Sequence, residues 1–439
     1  MRLLAGKLII CIAVLLVILP VLAACDDDET AEPTAPVTEP TAPVTEPTAP
    51  VTEPVKDVKI TIGNLTDITG PAANSMANVD QGTKDAVRYY NENNLIPGVE
   101  LEVLDYDTQT DPERFITGYH WLREKGADLI LSFLPPGVPV LMSEANRDQF
   151  PMYSGVANVE PEELDGSYVF CLGIAPAEEA YTFVKWIAEN HPDFPADRPA
   201  KIGGAAWDDT YSNMWFNAAR EYCEAHPDQY EWEGGHLAPL GNFTWDAEVE
   251  ALKDCDYVYI PIIPTTFIKS FRQAGGEGTF ISTPASAGFF SMIDQTGLWD
   301  EFDGALYILS SKWYNEEGPI IDFINQLLDD YHSPSEAKDF RSEGGYRSVK
   351  QAQMLCEIIK ETIDRVGVEN YSTEELVNTT KQWSFDLGEI EDFQNLTETK
   401  HFSQNYYTIS EIKVDPSKEV WQYMTSISDP KWIPKVTEP

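Results

Sequence analysis

Positive charge is scarce in this 439-residue sequence. It has 30 lysines and arginines against 73 aspartates and glutamates, which gives a formal net charge of −43. Because a surface that acidic repels phosphate backbones, nucleic-acid binding is excluded as a function. The acidic excess indicates either an adaptation for solubility and salt or an acidic docking patch, and composition leaves both open.

Catalytic motifs are missing as well. The chain has no GxSxG or HExxH segment and no phosphate-binding GxxxxGKS or GxxxxGKT loop, and its six histidines are scattered. The six cysteines include no CxxC pair, so we expect neither a metal site nor a bound cofactor. These absences favour a binding protein over an enzyme, with a secreted α/β enzyme as the less favoured alternative.

One long hydrophobic run is present, at the N-terminus: MRLLAGKLIICIAVLLVILPVLAAC. Arg2 and Lys7 precede its apolar part, and small residues lead into Cys25, as in a secretory signal. The ending LAAC resembles a bacterial lipobox, which implies cleavage before Cys25 and lipidation of its thiol. We therefore expect residues 1–24 to be a signal peptide and the mature chain to be anchored by lipid outside the cytoplasm. An uncleaved membrane anchor is the alternative.

The segment that follows, residues 25–57, contains TAPVTEP three times. A proline at every third or fourth position favours an extended, polyproline-like chain that buries no core. We predict a stalk between the membrane and the folded part. The last residues, 431–439, end in VTEP like the repeat and are predicted to be frayed.

From residue 58 onward, strand-like and helix-like segments alternate. VKITIGNL, VELEVLDY, DLILSFL and PMYSGV predict strands, and Asp111 is predicted to cap a helix that begins at Pro112. The same rhythm restarts beyond residue 173, with strands from KIGGAAW to ALYILSS, and two long helical segments follow. This pattern predicts an α/β fold with two parallel sheets. A ligand is expected in the cleft where the carboxyl ends of both sets of strands meet.

Four cysteines lie in this α/β part at wide spacings: Cys171, Cys223, Cys255 and Cys356. Export from the cytoplasm permits disulfides, and Cys223 with Cys255 is the first pair to test. Four buried free thiols are equally consistent with the sequence.

Five segments carry a family resemblance: TGPAANSMANVDQGTKDAV, YDTQTDPERF, SGVANVEPEEL, AWDDTYSNMW and ETKHFSQNYYTI. In this order and spacing they resemble the leucine/isoleucine/valine-type periplasmic binding proteins, the type I solute-binding components of ABC importers. The resemblance implies two Rossmann-like lobes with parallel sheets, three crossings and an interlobe ligand cleft. It places lobe 1 at residues 58–172 plus 315–370, and lobe 2 at residues 173–314 plus 371–430.

The same resemblance implies a function. The lobes are expected to close on a small-molecule solute and to deliver it to an ABC permease in the membrane. A sensory role, in which the ligand-bound form acts on a membrane receptor, is the alternative.

The resemblance also implies where the solute binds. In such proteins the loops after the third and fourth strands hold the ligand with backbone N–H groups and hydroxyls. The candidate ligand-binding residues in these loops are Ser132, Phe133, Leu134, Ser154, Gly155 and Val156. The second lobe adds further candidates near strand ends: Trp207, Tyr211, Ala285, Ser286, Phe289 and Trp313. An ordinary turn role for Ser154, and core packing for each aromatic residue, are the alternatives.

Two departures from the family pattern bear on the solute. Pro135 and Pro136 stand in the loop after the third strand, and proline has no N–H to donate to a carboxylate. Residues 283–289 carry no charge, whereas amino-acid binders place an acid there to pair with the ligand ammonium. Because an unpaired buried ammonium is costly, we predict an apolar or aromatic solute and not an α-amino acid.

Overall fold

The structure, a computed structural model, describes residues 58–439. The predicted signal peptide, the predicted lipidation site Cys25 and the predicted stalk lie outside the described residues. Residues 58–439 fall within one compact unit. None of the helices in this range combines the length and the apolar character that a membrane crossing requires.

The first sheet has five parallel strands in the order β2-β1-β3-β4-β5. Its elements in chain order are β1 (Val58–Thr66), α1 (Ala73–Glu92), β2 (Val99–Asp107), α2 (Pro112–Glu124), β3 (Leu129–Ser132), α3 (Gly137–Asp148), β4 (Met152–Val156) and β5 (Val169–Ile174). Asp111 caps α2 as predicted, since its side chain accepts hydrogen bonds from the N–H groups of Glu113 at 2.8 Å and Arg114 at 3.3 Å.

The chain then enters the second sheet through a helix. The elements are α4 (Pro176–Asn190), β6 (Ala200–Trp207), α5 (Thr210–Ala225), β7 (Tyr230–Ala238), α6 (Asp246–Leu252), β8 (Tyr257–Tyr259), α7 (Thr265–Gln273), β9 (Thr279–Ser282), α8 (Pro284–Ala287), α9 (Phe290–Thr296), α10 (Trp299–Phe302) and β10 (Leu306–Leu309). Strands β6 to β10 pair in parallel in the order β7-β6-β8-β9-β10.

The remaining chain returns to the first sheet before it completes the second. Its elements are α11 (Pro319–Tyr331), α12 (Pro334–Arg341), α13 (Val349–Val366), α14 (Thr373–Thr380), β11 (Ser384–Leu387), β12 (Ile390–Asn395), β13 (Tyr406–Ile412), β14 (Met424–Ser426) and β15 (Ile433–Pro434). Strand β13 pairs antiparallel with β10, β14 and β15, while β11 and β12 form a separate hairpin. Short 3₁₀ helices span Pro161–Leu164, Gly345–Ser348, Val368–Asn370 and Val420–Gln422.

Both faces of each sheet are covered, as parallel strands require. In β3, Leu129 and Leu131 pack with Ile358 of α13, whereas Ile130 packs on the opposite face with Leu122 of α2 and Leu141 of α3.

The second sheet follows the same rule. Tyr257 and Tyr259 of β8 pack with Trp215 of α5, and Val258 packs on the other face with Phe267 of α7. The predicted fold class, an α/β fold with two Rossmann-like lobes, is confirmed.

Three crossings connect the two lobes, and hydrogen bonds join them side by side. The end of β5 pairs with the third crossing: the Cys171 N–H donates to the His401 carbonyl at 2.7 Å, and the Ser403 N–H donates to the Cys171 carbonyl at 2.9 Å. The Gln404 amide donates to the carbonyl of Ser310, in the second crossing, at 3.3 Å. The crossings therefore form one hydrogen-bonded hinge.

Two C-terminal segments contact different sheets. Leu376 and Val377 of α14 lie in the core of the first sheet, and the hydroxyls of Tyr153 and Thr380 are 2.6 Å apart. Part of the tail predicted to be frayed is held on the second lobe, where the Val436 N–H donates to the Thr182 hydroxyl at 2.8 Å. The lobe boundaries stay a prediction.

The four cysteines of the α/β part are free and buried. Cys223 and Cys255 therefore form no disulfide, and the alternative of buried thiols is the one observed. Burial raises the pKa of the Cys171, Cys223 and Cys255 thiols to about 12. They remain protonated and unreactive near neutral pH.

Candidate functional site

A cavity of about 210 Å³ lies where strands of both sheets end. It is bounded by α1, which follows β1, by α8, which follows β9, by the end of β10, and by the segment that leads into α13. The first lobe's α1 contributes Ser75 and Val79, the second lobe contributes Pro284, Ala285, Gly288, Ser310 and Ser311, and the segment at α13 contributes Gly344, Gly345, Arg347, Ser348, Lys350 and Gln351. We call it the hinge cavity, because Ser310 belongs to the second crossing. In parallel α/β sheets, ligands bind at this end of the strands.

The two lobes make close contacts around the hinge cavity. Between the lobes, the Gly344 N–H donates to the carbonyl of Ala287 in α8 at 3.0 Å, and within the predicted first lobe the Ser348 hydroxyl donates to the carbonyl of Val79 in α1 at 3.3 Å. A Cβ on Gly82 would lie 2.8 Å from the Val349 side chain, so only glycine allows α1 to approach α13 here. The cavity is thus enclosed by elements of both lobes.

Arg347 lies in the wall of the hinge cavity and is 6% exposed. Its Nη2 donates to the carbonyl of Ser311 at 2.6 Å and to the Ser311 hydroxyl at 2.7 Å. Its guanidinium lies 4.8 Å from the centre of the Trp313 ring, a cation–π contact. The buried Nε has no hydrogen-bond partner among the described residues.

Lys350 lies beside Arg347 and is 2% exposed. Its ammonium donates to the Ser310 carbonyl at 2.7 Å and to Oε1 of Gln404 at 3.0 Å, so it links the second crossing to the third. Burial, together with the charge of Arg347, lowers the pKa of Lys350 to about 7.

The predicted loop residues lie elsewhere. We call residues 132–136 and 154–158, the ends of β3 and β4 with the segments that follow them, the loop face. The Ser132 hydroxyl is fully buried and donates to the Leu65 carbonyl at 3.0 Å, and Leu134 is also buried. The Ser154 hydroxyl donates to the Val156 carbonyl within its own turn. None of these residues lines the hinge cavity.

A ring fills the space beside Gly155 in the loop face. A Cβ on Gly155 would collide with the ring of Phe133, which packs in the cores on both sides of the first sheet. The Gly155 carbonyl also approaches Gly173 of β5 so closely that a Cβ there would collide with it. Hydroxyls and backbone in the loop face are therefore used by local packing, and their role toward a ligand stays a prediction.

Three predicted residues of the second lobe lie on or near α8. Ala285 is exposed and lines the hinge cavity. Ser286 is buried, with its hydroxyl 2.7 Å from that of Ser282 and 2.9 Å from that of Tyr307. Phe289 is half-buried and follows Gly288, which lines the cavity. Of the twelve predicted ligand-binding residues, Ala285 alone lies in this wall.

The other predicted aromatic residues lie apart from one another. Trp313 is fully buried, and its indole N–H donates to the Trp421 carbonyl at 2.5 Å. Trp207 is half-buried on the second lobe and donates to the Asn242 carbonyl at 2.7 Å. Tyr211 donates to a carboxylate oxygen of Glu179.

Glu179, at the start of α4, is an acid beside a predicted site residue. It is fully buried, and its Oε1 has no hydrogen-bond partner among the described residues. Burial raises its pKa to about 8, against the opposing effect of the Tyr211 hydrogen bond. Glu179 is therefore largely protonated at neutral pH and supplies no fixed negative charge for a ligand ammonium.

Two other depressions in residues 58–439 have a different character. A groove of about 650 Å³ between α1, α9 and α12 is lined by five acids: Asp294, Glu336, Asp339, Glu343 and Glu419. An open depression of about 710 Å³ surrounds Gly318, and Thr425 of the antiparallel strand β14 contributes to its lining.

One group of metal-type ligands converges within residues 58–439: His120, Glu144 and Asp148. Arg147 pairs with both acids, and Arg123 pairs with Asp148. The carboxylates are thus already neutralised by arginine.

Arg347 and Lys350 are absent from the predicted site residues. The sequence does contain a signal for Lys350, because it lies four and eight residues before Met354 and Ile358, on the buried stripe of α13. A lysine on an apolar stripe indicates a special environment. Arg347 gives no comparable signal, because it lies in the 3₁₀ helix Gly345–Ser348 and its position depends on how that helix meets the end of β10.

Comparison with known proteins adds the family. The sequence profile described as "Periplasmic binding protein" matches residues 59–413. No curated protein sequence matches the chain.

Solved structures share the fold at low sequence identity. A branched-chain amino acid ABC transporter protein from Thermus thermophilus with bound valine has a TM-score of 0.68 and 16% identity, over 87% of this chain and 96% of that one. A solute-binding protein of an ABC transporter from Rhodopseudomonas palustris, in complex with 3,4-dihydroxybenzoic acid, has a TM-score of 0.69 and 13% identity, over 87% and 99%. A fatty acid ABC transporter substrate-binding protein from Thermomonospora curvata has a TM-score of 0.67 and 14% identity, over 87% and 93%.

Proposed function

This chain belongs to the periplasmic binding protein family, and we propose that it is the extracytoplasmic substrate-binding lipoprotein of an ABC importer. It binds a small apolar or aromatic solute between its two lobes and passes that solute unchanged to a permease. The observation that carries this proposal is the hinge cavity, which is walled by both lobes at the carboxyl ends of β1, β9 and β10.

The three crossings support a hinge mechanism. They run side by side and are hydrogen-bonded to one another, so the lobes rotate about them as one hinge. A solute that contacts both walls does so only when the lobes are closed, and its binding therefore shifts the population toward the closed form.

Two observations support an apolar or aromatic solute in place of an α-amino acid. Residues 283–289 bring no acid to the cavity wall, and the buried Glu179 is largely protonated at neutral pH. Proteins of this fold carry different solutes: those named above hold valine or 3,4-dihydroxybenzoic acid, or are described as fatty acid binders. The fold itself therefore sets no single solute class, and the cavity wall decides it.

The binding step is tested with a solute library and a blocking variant. Ala285 is exposed in the cavity wall, so Ala285→Trp fills the cavity without disturbing the core. Ala77→Trp makes the same change at an exposed position of α1 outside the cavity. A thermal-shift screen over amino acids, aromatic acids, amides and short fatty acids identifies the solute. We expect Ala285→Trp to abolish the shift and Ala77→Trp to retain it.

Closure of the two lobes and release of an unchanged solute are tested by separate measurements. X-ray scattering is expected to show a smaller radius of gyration with the identified solute than without it. Mass spectrometry of the released solute is expected to show an unchanged mass. An unchanged radius at saturation contradicts the hinge mechanism, and a new product contradicts the transport role.

Membrane anchoring is tested at Cys25. If this thiol carries lipid, Cys25→Ser moves the protein from the membrane fraction to the soluble exported fraction. A variant that stays with the membrane contradicts the lipoprotein assignment and favours an uncleaved anchor.

A further inference from the structure

We propose that the hinge cavity is an anion subsite, in which Arg347 and Lys350 hold a carboxylate group of the solute. This inference rests on the proposed function and narrows its solute class to monocarboxylates with an apolar or aromatic body. The subsite lies at the start of α13, away from the loop face.

The buried positive charge of Arg347 and Lys350 supports an anion subsite. Arg347 and Lys350 are both nearly inaccessible to water, and all their hydrogen-bond partners are neutral oxygens of Ser310, Ser311 and Gln404. Glu316 acts on Arg347 only from beyond ion-pair distance. Burying a charge is costly unless it is paired, and two like charges side by side add to that cost. Although the chain has 73 acids, no described carboxylate pairs with these two cations.

Unused hydrogen-bond donors of Arg347 and Lys350 also support the subsite. The buried Nε of Arg347 has no partner among the described residues, and Lys350 uses two of the three N–H bonds that an ammonium offers. The positive end of the 18-residue helix α13 adds to the potential at the same place. An anion in the cavity satisfies these groups with charge-assisted hydrogen bonds.

The volume and lining of the hinge cavity indicate the kind of anion that it holds. The cavity holds about 210 Å³, and the other wall, from α1 and α8, presents Val79, Pro284, Ala285 and Gly288. A small carboxylate thus meets two cations on one side and mostly apolar groups on the other. The loop face offers prolines where a carboxylate clamp is expected, so the carboxylate site has a different location in this chain.

The experiment compares acids with their uncharged amides on the full chain. The probes are benzoate, phenylacetate and hexanoate, and benzamide, phenylacetamide and hexanamide, measured by titration calorimetry. We expect at least one acid to bind about tenfold or more tightly than its amide, because the amide offers no charge to the two cations.

Variants test whether the preference for acids over amides arises in the hinge cavity. Lys350→Met keeps the length of the side chain and removes the charge, and is expected to weaken acid binding by about tenfold or more while amide binding stays the same. Arg347→Lys keeps the charge and is expected to lose less. Lys360→Met is the matched control, because Lys360 lies on the same helix but pairs with Asp364.

The outcomes separate the two proposals. An amide that binds as tightly as its acid, or equal losses of acid and amide in Lys350→Met, overturns the anion subsite and leaves solute binding intact. If none of the six probes binds but the wider library yields a neutral solute, the subsite is again overturned. If the whole library fails, the solute-binding function falls with it.

Discussion

The loop face and the hinge cavity are built from similar polar groups but use them differently. In the loop face, the hydroxyls of Ser132 and Ser154 donate to nearby carbonyls, and the ring of Phe133 covers Gly155. In the hinge cavity, Arg347 and Lys350 are buried and form no ion pair among the described residues, and Glu316 acts on Arg347 only at longer range. The serine hydroxyls of the loop face are satisfied within the core, and Asn158 Oδ1 is a buried oxygen there without a partner among the described residues. The hinge cavity instead holds two buried cations that form no ion pair among the described residues.

This contrast shows why position at a strand end is a weak guide to a binding role. Both regions lie at carboxyl ends of parallel strands, where the fold places ligands. Of these two regions, the hinge cavity combines empty volume with buried cations and with polar groups that lack partners among the described residues. Buried charge beside empty volume, more than position at a strand end, distinguishes the two regions.

The largest expected effect separates two tryptophans that the sequence ranks equally. Trp313 is fully buried and contacts Arg347 of the hinge cavity, whereas Trp207 is half-buried. Trp313→Ala is expected to lower the free energy of unfolding by about 3–5 kcal/mol, because it leaves a large cavity in the core. Trp207→Ala is expected to cost roughly 1 kcal/mol. Urea unfolding of both variants measures the difference, and equal losses contradict the core role of Trp313.

A second substitution tests whether the loop face is close-packed. A methyl group on Gly173 collides with the Gly155 carbonyl, which belongs to backbone and moves only with its strand. Gly173→Ala is expected to destabilise the protein by about 3 kcal/mol.

Gly126→Ala is the control for that substitution. Gly126 has open space around it, but its φ of +89° disfavours a side chain, at a cost of roughly 1 kcal/mol. The measurement is again the urea midpoint. Similar midpoints for the two variants would mean that β4 and β5 separate easily, and that the loop face is free to rearrange around a ligand.

Much of the fold is predictable because its signals are local. Alternating apolar residues mark β1 and β2, and the Asp111-Pro112 pair marks the start of α2. Elements that depend on distant partners are harder to predict. Helix α3 follows two prolines that read as a loop, and the β11–β12 hairpin is mostly exposed and polar.

The candidate site is less predictable than the fold. The hinge cavity joins residues near 75, 285, 310 and 347, so no single stretch of sequence contains it. The loop residues were selected by analogy with other members of the family, whereas here their hydroxyls are used within the chain. Buried charge at Lys350 is visible in the helix pattern of α13, but its partners are not.

The buried Glu179 of α4 gives a pH prediction for the second lobe. Burial raises the folded-state pKa of Glu179 from 4.5 to about 8. Since the folded pKa is above the unfolded one, its contribution to stability is fully present below about pH 4.5 and is lost as pH rises through 8. Relative to Glu179→Gln, the wild type is expected to lose about 2 kcal/mol between pH 5 and pH 7.

Urea unfolding of both proteins at several pH values measures this difference. Burial lowers the pKa values of Lys350 and Lys400 to about 7. Because both lysines are present in both proteins, their contributions cancel in the difference. A constant difference across the range means that Glu179 is already ionised in the folded protein. The second lobe would then carry a fixed, buried negative charge beside Tyr211.

The smallest expected effect concerns Lys350 itself and is measured as the pH dependence of phenylacetate affinity. Burial and Arg347 lower the pKa of the ammonium to about 7 in the free protein. Its hydrogen-bond partners Ser310 and Gln404 and the Phe393 ring are uncharged, and Glu357, Lys360, Glu361 and Asp364 line a depression that Lys350 also borders. Burial lowers the pKa of Arg347 to about 10, against the opposing effects of Tyr314 and Glu316, so Arg347 stays largely charged through pH 8. A bound carboxylate favours the charged lysine, so affinity is expected to be flat below pH 7 and to fall by up to about tenfold for each pH unit above it. Lys350→Met is expected to abolish this slope, and a slope that survives in the variant assigns the titration to another group and removes Lys350 from the subsite.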